Sequence, residues 1–377
     1  VFRQSTKRVA FAATAIAVAT VAAIVPWSAQ ADGRADDHSD TLRVLIGHHN
    51  HAGPGAVVVA GNGAGPWHLW AGAGNVPQNK PIGPADRIRI ASQTKTMTAA
   101  IVLQLVGEGK IDLDSPIERY LPGLVQGNGY DGNKISVRQI LQQTAGLAEF
   151  VKGGDSINRT YTLEQLVRAG LSNPPAFAPG TSWGYSNTNY AVAGMLVERI
   201  TGTSVNAAIA DRITVPLGLS QTRLPAPGDH TIGAPATHGY SGFQNGSIFF
   251  WQDVSNSFEP SYLSSAGGVV STPEDMAKFV SALVAGKVVP QAQLAEMRKI
   301  VPTPYWDGYG LGLTRLELPC GGEAWGHYGD WLGYSSGTMA TADGRYASMV
   351  TNTRVATALP EGSTRDNVLE SALCGSG

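Results

Sequence analysis

Strand-like sequence stands at both ends of this 377-residue chain, and residues 92–302 between the two blocks read as helices. Near the start, 55–62 and 67–72 look like paired strands around the turn Asn62-Gly63-Ala64-Gly65, and 87–90 alternates polar and apolar as a third strand. After Val301 the strand pattern returns at 309–318, 323–329, 334–340 and 345–352. Helical patterns cover 41–50, 96–106, 137–143, 162–171, 189–200, 206–213, 273–284, 291–300 and 364–373. Ser136, Thr162 and Thr272 stand at helix starts as caps, the last followed by Pro273-Glu274-Asp275. Hairpins dominate, so the expected class is α+β: one antiparallel sheet built from both termini, flanking helices, and an inserted mainly helical domain. The expected bounds are 1–31 for a leader, 32–91 with 303–377 for the sheet domain, and 92–302 for the helical domain.

Composition removes other classes. Hydrophobic residues make up 43% of the chain, enough for a sizeable core and against disorder. The charge sums to −2, with no basic stripe for nucleic acid. Arg3, Lys7 and Arg8 precede an apolar run from Val9 to Trp27, and Ala29-Gln30-Ala31 supplies small residues for cleavage after Ala31. That pattern predicts export and release, with no membrane association once the leader is gone. Cys320 and Cys374 are the two cysteines; an oxidising compartment favours a bridge, and two unrelated buried thiols is the alternative. Neither cofactor nor metal is expected: no dinucleotide-binding or phosphate-loop glycine pattern follows a strand, and His48-His49-Asn50-His51 has no acidic pair to complete a site.

Three short motifs carry the chemistry. Ser92-Gln93-Thr94-Lys95 lies where a strand gives way to a helix, so hydroxyl and amine share one face at the positive end of the dipole. A desolvated Lys can be neutral and accept the hydroxyl proton. Tyr185-Ser186-Asn187 offers a phenol and an amide in a helix-entry loop, and His327-Tyr328-Gly329 lies in a late strand. A rival, Gly180-Thr181-Ser182-Trp183-Gly184, has the spacing of a nucleophile elbow, but Pro174-Pro175 and Pro179 precede it where that motif needs a strand.

Ser-x-x-Lys, Tyr-x-Asn and His-x-Gly in this order resemble the serine D-alanyl-D-alanine carboxypeptidases and class C β-lactamase-like hydrolases. The likeness extends through Ile90 to Met97, Leu121-Pro122-Gly123-Leu124, 179–187, Tyr309-Gly310-Leu311-Gly312-Leu313 and 370–375. The resemblance implies a β-lactamase/transpeptidase-like fold with the cleft between sheet and helical domain. It implies Ser92 as the acylated nucleophile, Lys95 and Tyr185 sharing proton transfer, His327 in the place of a Lys, and Asn187 on the substrate amide. The N–H groups of Ser92 and Asp330 would form the oxyanion hole. It also implies a Cys320–Cys374 bridge. Tyr328, Gly329 and Asp330 would lie along the substrate, with Thr314 where relatives carry an Arg and Tyr262 as a bulky aromatic wall.

The expected function is therefore a secreted serine hydrolase of carboxypeptidase type, acting through an acyl-enzyme on a small peptide or ester, including peptidoglycan stem peptides. β-Lactams would acylate it. An esterase or D-aminopeptidase on the same scaffold is the second expectation, and a penicillin-binding module without turnover the third. Tyr328 and Asp330 are two apart on a strand and share a face. On the substrate side, Asp330 would repel a terminal carboxylate at about 5 Å by roughly 3 kcal/mol at an effective dielectric near 20. The alternative is that Asp330 turns away and pairs with Arg315 or another cation.

Overall fold

The structure is a computed structural model that describes residues 21–22, 29–31, 38–62, 65–151, 159–245, 248–354 and 359–375. Six strands carry the main sheet: β1 (Gly55–Asn62), β2 (Gly65–Asn75), β3 (Thr314–Glu317), β4 (Glu323–Trp331), β5 (Tyr334–Thr341) and β6 (Tyr346–Thr351). Their order across the sheet is β3-β4-β5-β6-β1-β2, every pair antiparallel. The β6–β1 ladder sets Ser348 opposite Val59 and joins the two ends of the chain. Ala29–Ala31 adds an edge segment against Leu69–Ala71 of β2. Of the expected leader, residues 1–20 and 23–28 lie outside the described residues, as do Gly63 and Ala64 of the expected turn.

Helices cover both faces. On one side α1 (Ser39–Ala52) and the last helix, α5 (Arg365–Cys374), bury Leu45, Val368 and Leu369 against Val58, Leu69, Tyr328, Met339 and Met349. On the other side lie α2 (Thr94–Gly107), α3 (Asn187–Thr201) and α4 (Pro273–Val284). α2 is apolar or buried nearly all round, from Thr94 to Leu103, as a central helix must be. The caps hold as the sequence predicts. Thr272 accepts from the Asp275 N–H ahead of Pro273, and Ser136 and Thr162 each close a capping box. Cys320 and Cys374 are disulfide-bonded, with Cα atoms 5.6 Å apart.

Two expected strands are corrected. Only Ile88 and Arg89 of 87–90 form a strand, pairing with Val270–Ser271 rather than joining the main sheet, while Arg87 makes a single parallel bridge to Ala236. The alternation there did not mark one wet face: Arg89 is buried and donates to the carbonyls of Ser255 and His230. In 309–318 the strand shrinks to Thr314–Glu317, because Gly310 N–H folds back to the Leu313 carbonyl and Gly312 takes φ +74°. A Cβ on Gly312 would lie 2.6 Å from Ala99, so this turn also lets the segment press on α2. The hairpin Tyr240–Asn245 with Ile248–Asp253 was not anticipated.

Candidate active site

Ser92 sits on a strained entry to α2. Ala91 takes φ +48°, which costs a non-glycine residue about 1–3 kcal/mol, and Ala91–Gln93 form a single tight turn. Thr94 holds that turn: its hydroxyl donates to the Ala91 carbonyl at 2.8 Å and accepts from the Val269 N–H at 3.2 Å. Three residues on from Ser92, in the first turn of α2, Lys95 is fully buried. Its Nζ lies 3.2 Å from Ser92 Oγ, 2.7 Å from Asn187 Oδ1 and 2.8 Å from the Ala266 carbonyl. Burial pushes the amine down to about 7, with Glu149 pulling the other way. As a neutral amine it has two hydrogens and one lone pair. The two close carbonyl oxygens take the hydrogens, which leaves the lone pair for the Ser92 hydroxyl.

Tyr185 completes this side. The Lys95 Nζ is 4.7 Å from its ring centre, and the Ser92 side chain interacts with its phenol. Burial, then Tyr309, holds the phenol well above its usual range, so it keeps its proton at neutral pH. Asn187 opens α3 behind the cap Ser186. Glu149, which sequence reasoning missed, accepts from both the backbone N–H and Nδ2 of Asn187 at 2.9 Å. One Nδ2 hydrogen remains for a substrate carbonyl.

The facing strand, β4, behaves differently. His327 is buried, and both ring nitrogens are engaged: Nε2 with the Tyr309 hydroxyl at 3.2 Å, Nδ1 with the Tyr328 carbonyl at 2.5 Å. The carbonyl requires Nδ1–H, so Nε2 accepts from Tyr309. Burial, then the nearby Lys95 charge, lowers the imidazole to about 3. Among the described residues no hydrogen bond joins it to Ser92, Lys95 or Tyr185. In this geometry the imidazole is held between Tyr309 and the Tyr328 carbonyl rather than against the reacting groups, an arrangement suited to positioning.

Gly329 is where β4 meets the nucleophile turn; a Cβ there would lie 2.0 Å from the Ile90 carbonyl, so only glycine fits. Its own carbonyl accepts from Ser336 Oγ on β5. In a trans peptide the N–H points opposite to the C=O, so the Asp330 N–H is turned away from β5. On that side β3 has already ended its pairing, at Gly326, and among the described residues no strand covers the N–H, which can then serve an oxyanion.

The Tyr328 and Asp330 side chains are placed on the other face, which corrects their expected contact with substrate. Tyr328 is buried in the core under α1 and α5, with the Arg365 guanidinium 4.4 Å from its ring centre. Arg365 Nη1 also reaches Asp330 Oδ1 at 3.0 Å and Oδ2 at 3.1 Å. The alternative of an Asp330 paired away from substrate holds, with Arg365 as the cation. Strand alternation explains the error: Tyr328 and Asp330 do share a face, but His327 and Gly329 own the one toward Ser92. Thr314 is buried and donates to the Gly326 carbonyl, away from the cleft. Arg315 is committed to the Asp307 carbonyl and Glu317.

Aromatic side chains wall the site on two sides. Trp183, Trp306 and Tyr309 surround Tyr185 with ring centres 5.9–6.4 Å from it. Tyr262 packs on Phe150 and Tyr161 and faces Trp331 at 6.3 Å. Trp306 and Trp331 carried no recognisable signal, since each stands alone in a loop or at a strand end. Ser182 of the rival motif is exposed on a loop. Among the described residues no group of three His, Cys, Asp or Glu is placed to hold a metal ion.

Comparison with known proteins agrees with this geometry. The β-lactamase family model matches residues 35–372. A D-stereospecific amidohydrolase from Streptomyces superposes with a TM-score of 0.80 at 36% identity, over 90% of this chain and 100% of that one. D-Amino acid amidase from Ochrobactrum anthropi, complexed with D-phenylalanine, gives 0.78 at 25% identity over 89% and 98% of the two chains. Penicillin-binding protein 4* of Bacillus subtilis is 26% identical over 82% of this chain and 69% of its own length. The chain spans only 44% of another relative, the unguisins hydrolase ungD' of Aspergillus campestris, at 29% identity. With the Ser92–Lys95–Tyr185 cluster in place at the edge of an antiparallel sheet, the chain belongs to the β-lactamase and penicillin-binding family of serine hydrolases.

Proposed function

We propose that this protein is a serine amidohydrolase that acylates Ser92 with D-amino-acid amides or esters whose leaving end carries no charge. The observation that carries the substrate preference is the placement of cations. Arg365 lies behind β4, paired with Asp330, and Arg315 is tied to Asp307 and Glu317. Lys95 is thus the sole described cation hydrogen-bonded to Ser92, Tyr185 or Asn187, and it is spent on proton transfer. Among the described residues, a terminal carboxylate, the mark of a carboxypeptidase substrate, has no other cation bonded to this cluster to meet it. Glu149, two hydrogen bonds from Lys95 by way of Asn187, gives the site a negative group that suits a substrate amine. Likeness to the Streptomyces and Ochrobactrum enzymes supports the D-amino-acid class.

In the reaction, Ser92 Oγ attacks the substrate carbonyl and its proton passes to Lys95 Nζ. The oxyanion is held by the N–H groups of Ser92 and Asp330. Tyr185 gives its proton to the leaving nitrogen or oxygen and is resupplied from Lys95, and water reverses the sequence to free the acid. β-Lactams present a strained amide to the same nucleophile and are expected to acylate Ser92. A binder without turnover has no use for a lysine held near neutrality beside a serine. Export remains part of the proposal, favoured by the leader sequence and by the disulfide.

The test compares kcat/KM on D-phenylalanine amide, its L enantiomer, an acyl-D-Ala-D-Ala peptide and that peptide's methyl ester. The D amide should lead the L amide, and the ester should lead the free acid by about tenfold or more. A free-acid peptide used better than its ester would return the protein to the carboxypeptidases.

A further inference from the structure

The two halves of the oxyanion hole come from different parts of the chain, and a buried polar bridge joins them. Gln93 directly follows Ser92; its Nε2 donates to Ser336 Oγ at 2.7 Å. Ser336 Oγ donates in turn to the Gly329 carbonyl at 3.3 Å. That carbonyl belongs to the same rigid peptide unit as the Asp330 N–H. Gln93 is 1% exposed and Ser336 not at all. From behind the sheet, Arg365 Nη1 donates to the Ser336 carbonyl at 2.8 Å and fixes the residue that makes the bridge.

We propose that Gln93 and Ser336 form a strap that sets the spacing and direction of the two oxyanion donors, the N–H groups of Ser92 and Asp330. This rests on the acyl-enzyme reading of Ser92. Neither side chain touches substrate; both are positioning residues. The physical case is that a β-strand and a helix entry packed edge to edge can slide by a few tenths of an ångström without losing apolar contact. A hydrogen bond has no such tolerance. Oxyanion stabilisation depends on donors preset 2.7–3.1 Å from the developing charge, so a small slide weakens it steeply. The strap removes that freedom. It spans helix entry to β5 to β4 through two side-chain hydrogen bonds.

The strap acts only on the tetrahedral state, and this separates it from a structural role. A small boronic acid, phenylboronic acid, forms a tetrahedral adduct as Ser92 Oγ adds to boron and its proton passes to Lys95. One boron-bound oxygen then enters the oxyanion hole. We would measure kcat/KM on a p-nitrophenyl ester, the boronate Ki, and the active-site fraction titrated with a fluorophosphonate. The proteins are wild type, Ser336→Ala, Ser336→Thr, Gln93→Leu and the Gln93→Leu/Ser336→Ala double variant. Ser336→Ala and Gln93→Leu should each lower kcat/KM about tenfold and raise the boronate Ki by the same factor, with KM little changed. The double variant should lose no more than either single one, because both cut the same bridge. Ser336→Thr should restore most of the loss. If Gln93→Leu does not fold, Ser336→Ala decides alone. Wild-type kcat/KM and Ki in Ser336→Ala, or single losses that multiply, would overturn the strap. A lower kcat/KM with an unchanged Ki per titrated site would also overturn it. A wild type insensitive to the boronate would overturn the acyl-enzyme reading and the strap with it.

Discussion

The two walls of the cleft are built on opposite principles. On the α2 side, Lys95 is buried with three oxygen partners and brought near neutrality, so its protonation can change during turnover. On the β4 side, His327 is equally buried, yet both ring nitrogens are bonded and the imidazole is neutral far below working pH. In the proposed reaction one wall moves protons and the other holds shape. Burial alone does not make a catalytic group. What differs is whether the desolvated base keeps a lone pair pointed at a reacting atom.

The largest test of that contrast is substitution on each wall. Ser92→Ala or Lys95→Met should cost kcat/KM about 10⁴-fold or more, whereas His327→Asn, which can still meet Tyr309, should cost about tenfold. Steady-state kinetics on a chromogenic ester, with labelling to show the adduct on Ser92 and not on Ser182, measures both. An equal loss from His327→Asn and Lys95→Met would erase the distinction between the walls.

Acid stability sharpens it further. His327 at about 3, and His48 and His49 each at about 4, all lie below the imidazole's ordinary value of 6.5, with burial as the leading cause. Between those values the unfolded chain binds more protons than the native one, so stability falls as pH drops from about 6.5 toward 3. Thermal unfolding from pH 7 to pH 4 should show a falling Tm, with a shallower slope in His327→Asn. An unchanged slope would mean that His327 charges freely in the fold. The smallest expected effect is at Asp330: Asp330→Asn should change the peptide-to-ester ratio of kcat/KM by less than about twofold, since the carboxylate is neutralised by Arg365 behind the strand. A gain for the free-acid peptide near a hundredfold would put the carboxylate back in the cleft.

The sequence made the hairpins at each end, the capped helices and the order of the three motifs legible. Period-two alternation, Ser/Thr caps and a Ser-x-x-Lys at a strand-to-helix junction are local signals that tertiary packing did not overrule. Arg89 was not legible, because a buried arginine paid for by two carbonyls looks in sequence like one on a wet face. Asp330 was misplaced by fixing the wrong face of a correctly recognised strand. Glu149, Ser336 and Trp306 were silent, since each acts through a partner distant in the chain: Asn187, Gln93 and Tyr185.

The central proposal is that Lys95 is the proton acceptor and His327 is not. The direct measurement is the pH dependence of kcat/KM on an ester that does not itself ionise between pH 5 and 9, for wild type and His327→Asn. Activity needs the free amine, so wild type should rise through a single ionisation near 7 and then level off. His327→Asn should keep that limb at a lower plateau. A limb that disappears in His327→Asn, or a wild-type profile flat across pH 7, would contradict the account.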